Sequence, residues 1–161
     1  MDRTGAWTYD EMRQTGTDYD SIERVREYDE RMSSLRDVRA EANAILDELD
    51  LSKDDALVEL GSGTGELAIE ASRRCDRVYA LDVSRTMLDY AREKAALRGA
   101  AGIVFVHAGF LGYNHDGPPP AAVVSQLALH HLPDFWKLIA LTRIHDLLAP
   151  SGRFFLRDVV F

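Results

Sequence analysis

Residues 58–70 read VELGSGTGELAIE. An apolar run ending at Leu60 meets three glycines spaced G-x-G-x-G (Gly61, Gly63 and Gly65), and an amphipathic stretch follows. Glycine reaches backbone conformations closed to other residues and lets a ligand approach the main chain closely. A helix starting just past such a turn presents unpaired N–H groups and a positive dipole end, both suited to an anionic group. A glycine-rich turn alone marks any tight strand-to-helix connection, so its surroundings decide its meaning.

Working outward, short runs rich in β-branched or aromatic residues recur: ALVEL (56–60), RVYALDV (77–83), GIVFVH (102–107), AAVVSQLAL (121–129) and RFFLRDVVF (153–161). Their near-continuous apolar character is that of strands covered on both faces, the habit of parallel sheets. Helical stretches fall between them. Thr64–Cys75 leads to the second run and Ser84–Arg98, capped by Ser84, to the third. Pro133–Leu148 leads to the fifth, with Pro133 in its first turn and an apolar stripe of Phe135, Leu138, Ile139, Leu141, Ile144 and Leu148. Strand and helix in alternation predict a three-layer α/β fold, a doubly wound, mainly parallel sheet of five strands. Ligands of such sheets bind past the carboxyl ends of the strands, which directs attention to the turns after Leu60, Leu81, His107 and Leu127.

The chain before Ala56 is different. Residues 1–55 hold 16 acids and 8 bases, whereas residues 56–161 hold 11 of each, so the formal charge of −8 sits in the first third. We read 1–55 as an acidic helical cap on a domain spanning 56–161, since so short a segment buries little alone. Asp20 with Glu23 forms a capping box before Ile22, Val25, Tyr28 and Met32; Ser33-Ser34 ends that stripe. Ser34 with Asp37 caps a second helix carrying Leu35, Val38, Ala42, Ile45, Leu46 and Leu49. Such a pair covers one side of a sheet, and the first helix, with Tyr19 and Tyr28, can also lid a ligand site.

Asp82 ends the second run, 17 residues after Gly65. An acid at that place accepts hydrogen bonds from both hydroxyls of a ribose. Dinucleotide folds prefer G-x-G-x-x-G, which seats a pyrophosphate, and this turn lacks that spacing. Glu59, two residues before the first glycine, suits an ammonium group better than a pyrophosphate. An amino acid joined to adenosine satisfies all three features, with its carboxylate at the glycine turn, its amine toward Glu59 and its ribose at Asp82. That molecule is S-adenosylmethionine.

VELGSGTGELAIEAS followed by YALDVSRTMLDYAREKA resembles motif I and the next motif of class I S-adenosylmethionine-dependent methyltransferases, which are Rossmann-like. VVSQLALHHLPDFWKLIAL resembles their fourth-strand segment and LLAPSGRFFLRDVVF their fifth, so the likeness covers roughly residues 55–161. The resemblance implies a strand order of 3-2-1-4-5. It implies that Gly61, Ser62, Gly63 and Gly65 contact the methionine moiety, that Asp82 holds the ribose, and that Val83 and Met87 pack on the adenine. Gln126 would line the methyl-transfer side. Where many members carry an acid after the third strand, this chain has Ala108-Gly109, so adenine would rely on backbone near Gly109 and on Phe110. Members of the family also carry two further strands. The chain is therefore expected to lack the C-terminal strands, and an unpaired fifth-strand edge invites self-association.

His130-His131 follow the fourth run and face the expected site, where a neutral imidazole could take a proton from an acceptor; a main-chain-bonding or packing role is the plainer reading. No metal-ligand spacing joins the five histidines, and Cys75 reads as a small buried hydrophobe. One cysteine, no long apolar run and a polar start predict a cytoplasmic protein without membrane contact. The acidic balance speaks against nucleic acid and leaves a small-molecule acceptor. Two other classes stay open: a module that binds S-adenosylmethionine or S-adenosylhomocysteine without turnover, and a nicotinamide oxidoreductase, which the glycine spacing disfavours.

Overall fold

A computed structural model describes residues 9–13 and 21–159. Tyr19 and Asp20 lie outside the described residues. Five strands, β1 (Ala56–Leu60), β2 (Arg77–Asp82), β3 (Ile103–His107), β4 (Ala122–Gln126) and β5 (Arg153–Arg157), form one sheet in the order β3-β2-β1-β4-β5. Every pairing is parallel. The predicted strand order is the observed one. The order reverses direction beside β1, so the crevice for a ligand opens between the carboxyl ends of β1 and β4.

Both faces are covered. On one, α2 (Val38–Leu49) and α3 (Glu66–Ala71) pack with Leu57, Val78 and Val124; Ile45, Leu46 and Leu49 of α2 are buried there. On the other, Ala140 and Ile144 of α5 (Asp134–Leu147) join Val58, Leu81 and Val123. The continuous burial of β1 follows from this double cover.

α1 (Ile22–Leu35) is fastened by a buried polar knot rather than by its apolar stripe, of which Val25 is buried. Asp29 accepts from Thr64 Oγ1 at 2.7 Å, Tyr90 Oη at 3.0 Å and Lys94 Nζ at 2.8 Å, which ties α1 to the glycine turn and to α4 (Arg85–Leu97). Burial alone would raise the Asp29 carboxyl, but these donors hold it below its ordinary value. Lys94 also pairs with Glu66 at 2.9 Å, so the ammonium is satisfied on both sides.

Several local expectations are corrected. α1 runs through Ser33-Ser34, because the Ser34 hydroxyl donates to Arg31 O and so sits inside a helix; Asp37 alone caps α2, accepting from Ala40 N at 2.9 Å. Ser84 caps α4 as expected, but Pro133 occupies the N-cap of α5 and not its first turn. The helix after the glycine turn is six residues long, shorter than Thr64–Cys75. β4 stops at Gln126, where Leu127 turns to a left-handed φ of 51° and residues Leu129–His131 form a 3-10 turn. The α5 stripe is also narrower than its sequence suggests: Phe135 and Leu138 are exposed. Cys75 is fully buried, and burial raises its thiol pKa. Among the described residues, no helix is long and apolar enough to cross a membrane.

Candidate functional site

The turns after β1, β2, β3 and β4 converge on one cavity of about 230 Å³ at the carboxyl end of the sheet. Of the residues singled out from sequence, Glu59, Gly61, Ser62, Gly63, Asp82, Val83, Met87, Gly109, Phe110, Gln126 and His131 line it. Gly65 and His130 do not.

The glycine turn is folded back on the end of β2. Gly61 N and Ser62 N both donate to Leu81 O, at 2.9 and 2.8 Å, and Gly65 N donates to Ser62 O at 2.9 Å. Gly63 N donates to Asp82 Oδ2 at 2.8 Å. These four N–H groups, expected to meet an anion, are thus already engaged within the protein. Gly61 has φ 75°, and a Cβ there would be driven into the Ala128 methyl, so glycine is what lets β1 and β4 close on each other. Gly65, with φ 78°, serves packing: a Cβ would lie 2.9 Å from Ala91 Cβ on α4.

Asp82 holds two strand ends together. Besides Gly63 N it accepts from Ser84 N through Oδ1 at 2.9 Å, and the residue lines the cavity. Burial raises its carboxyl pKa against these backbone donors. Glu59 is more extreme. It is 4% exposed, and its Oε2 is shut off from solvent with no hydrogen-bond partner among the described residues. Burial, with the Asp82 charge nearby, pushes its carboxyl up to about 8. Leaving a buried acceptor unmatched in this way is costly, and the main chain at Ala68 only partly offsets the burial.

The two histidine rings lie 4.1 Å apart and meet different partners. His131 faces the cavity, and burial beside His130 lowers its pKa, which favours the neutral imidazole. His130 Nδ1 lies 2.6 Å from Asp158 Oδ1, and His130 N donates to Asp158 Oδ2 at 3.0 Å. His107, at the end of β3, bonds Val83 O through Nε2 at 2.9 Å and steadies the turn after β2.

Residues 57–152 match the family of the methyltransferase domain. The chain belongs to that family. Curated relatives include an uncharacterized methyltransferase of Geobacillus kaustophilus, 32% identical over 85% of this chain and 60% of that protein. Another, from Mycobacterium tuberculosis, is 32% identical over 68% of this chain and 53% of that protein. The chain thus spans between half and two thirds of these relatives. Among solved structures, one from Methanococcus maripaludis assigned to the S-adenosyl-L-methionine-dependent methyltransferases superposes with a TM-score of 0.72 at 19% identity, over 88% of this chain and 64% of that one. The DhpI–SAM–HEP complex gives 0.65 at 28% identity, over 85% and 61%. The methyltransferase fold is thus the class I, Rossmann-like one.

Sequence reasoning missed much of the cavity wall, including Glu11, Arg36, Glu41 and Arg157. Glu11 accepts from Leu111 N and Gly112 N at 2.9 and 2.6 Å, laying the N-terminal segment across the turn after β3. Arg157 ends β5, opposite Gln126 in the register, and the rule that sends ligands to strand ends could have found it. Arg36 and Glu41 carry no such signal; the α1–α2 corner brings them in.

Proposed function

We propose that the chain binds S-adenosylmethionine in this cavity and transfers its methyl group to a small-molecule acceptor. The observation that carries the reading is the buried, unpartnered Glu59 Oε2 beside Asp82, a site matched by an ammonium and a ribose held a few ångströms apart. Glu59 would ionise against the ammonium, and Asp82 would accept from the ribose hydroxyls. Val83 and Met87 would pack on the adenine, as the resemblance implies, and so would Phe110, where this chain departs from the family. The bound sulfonium supplies an electrophilic methyl carbon: a lone pair of the acceptor forms the new bond as the carbon–sulfur bond breaks and its electron pair stays on sulfur.

The remaining task for the protein is alignment, which itself lowers such a barrier by several kcal/mol, on the order of 7–11 at best. Gln126 and Leu127, at the end of β4, stand on the side from which an acceptor approaches. His131 is the neutral base available there for a proton lost by the acceptor. His130, held by Asp158, fixes the turn that carries it.

Calorimetric titration with S-adenosylhomocysteine tests binding. Micromolar affinity, weakened about tenfold by Asp82→Ala, is the expected result, a loss of about 1.4 kcal/mol. No binding by a folded chain would sink the reading. Transfer of a labelled methyl group to small molecules of a cell extract then separates turnover from binding alone.

A further inference from the structure

The charges on the cavity wall are not equally satisfied. Among the acids, Glu11 is met by backbone N–H groups, Asp29 by Lys94, Thr64 and Tyr90, Glu66 by Lys94 and Arg98, and Asp82 by Gly63 and Ser84. Arg36 and Arg157 are different. Both contact the single carboxylate of Glu41, Arg157 Nη2 at 2.7 Å and Arg36 Nη1 at 3.5 Å. Two guanidinium groups share one carboxylate, leaving one positive charge in excess. The Nε atoms of both arginines are also shut off from solvent without an acceptor among the described residues. A buried N–H of a guanidinium is costly to leave unmet, and a guanidinium offers its donors as a planar fork matched to an oxyanion.

The place of this pair gives its purpose. Arg157 is aligned with Gln126, and Leu127 N donates to Arg157 O at 2.7 Å, so the cationic group sits over β4 and β5. Glu59 and Asp82 sit over β1 and β2, on the other side of the switch in strand order. We propose that the Arg36–Glu41–Arg157 group binds an oxyanion, a carboxylate or a phosphate-type group, carried by the methyl acceptor. The acceptor is then an anionic small molecule, anchored at β5 so that its nucleophile faces the turn after β4. This rests on the cavity being the methyl-transfer site, since that reading decides which end of the cavity the acceptor enters.

The test titrates inorganic phosphate, and separately acetate, into the chain saturated with S-adenosylhomocysteine at low salt. We expect saturable binding of at least one anion, weakened about tenfold by Arg157→Gln. The stronger of the two tells whether the group prefers phosphate or carboxylate. Glu41→Gln should tighten the same anion several-fold, because the competing carboxylate is gone; a purely structural triad would lower thermal stability without that gain. Absence of saturable binding by either anion overturns the proposal, as does equal binding by the parent and Arg157→Gln. If Arg157→Gln does not fold, the Glu41→Gln titration decides, and no tightening overturns it. A third arm compares S-adenosylhomocysteine with methylthioadenosine, which lacks the amino-acid end. If Arg157→Gln weakens the first and spares the second, the pair serves the cofactor's own carboxylate, and the acceptor proposal falls. Failure of S-adenosylhomocysteine to bind the folded parent chain would instead remove the functional reading and, with it, the acceptor proposal.

Discussion

Over β1 and β2 the cavity is made by residues close together in sequence, and their polar groups are buried and held by main chain: Gly63 N on Asp82, Ser84 N on Asp82, and Gly61 N and Ser62 N on Leu81 O. Over β4 and β5 the wall is made by side chains from distant parts of the chain, partly exposed and ion-paired, Arg157 and Arg36 with Glu41, and the turn behind it is tied by His130 to Asp158. The first half is rigid because each donor has one short-range acceptor. The second can change partners, because ion pairs near the surface add little net stability.

The comparison breaks first at Gly61, the residue that locks the two halves together. Gly61→Ala adds a Cβ against Ala128 at φ 75°, so overpacking and left-handed strain act together. We expect a loss of about 3 kcal/mol, seen as a fall in melting temperature of roughly 6–12 °C. Gly63→Ala has φ 51° but open space around the new carbon, so strain acts alone and the loss should be about 1 kcal/mol. Equal effects by scanning calorimetry would show that β1 and β4 are not locked at Gly61. Next in size is Asp82→Ala, which leaves Gly63 N and Ser84 N without their acceptor. A stability loss of about 2 kcal/mol should accompany the weaker cofactor binding.

The same contrast governs what could be read from the sequence. The parallel strands, the glycine turn, Asp82 and Glu59 were legible from local pattern (apolar runs covered on both faces, a glycine spacing, an acid at a strand end), whereas the strand order followed from the family resemblance. The length of α3 was not legible, since past Ala71 the chain continues in turns, with Arg73 N on Glu70 O and Cys75 N on Ala71 O, and no glycine or proline marks the change. Ser34 misled because a serine that back-bonds to Arg31 O is tolerated within a helix. Arg36 and Glu41 were invisible because nothing near them in sequence speaks of Arg157. The α5 stripe was overread: periodicity shows which face is apolar, not how much of it finds cover, and Phe135 and Leu138 stay exposed.

The buried side also has a pH signature. Glu59 has its carboxyl raised to about 8 in the folded chain, against an ordinary 4.5. Between those values the folded chain holds a proton that the unfolded chain has lost, so stability of the ligand-free chain falls as pH rises from about 4.5 to 8 and then levels. An ammonium pairs only with the carboxylate, so cofactor binding must expel that proton. Affinity for S-adenosylhomocysteine should therefore rise with pH, by up to about tenfold per unit, and flatten near 8. Calorimetry in two buffers of different ionisation enthalpy would count the proton released at pH 7. Glu59→Gln should release none and show a flat profile; a persistent slope would move the titrating group elsewhere.

The smallest effect is expected at Asp158. Its carboxylate holds both His130 N and His130 Nδ1, yet the pair is partly exposed, with side chains 22% and 12% accessible, so water can replace much of what is lost. Asp158→Asn keeps one acceptor for the main-chain N–H and removes the charge-assisted bond to the ring. The cost should be about 1 kcal/mol, below that of Asp82→Ala. S-adenosylhomocysteine binding should be unchanged, because neither residue lines the cavity. Any effect on methyl transfer must then pass through His131, whose ring lies 4.1 Å from that of His130. A loss of turnover with intact binding would mark His130 and Asp158 as positioning residues for the β4 turn. A loss of stability larger than that of Asp82→Ala would mean that the ion-paired half, and not the glycine turn, holds the cavity together.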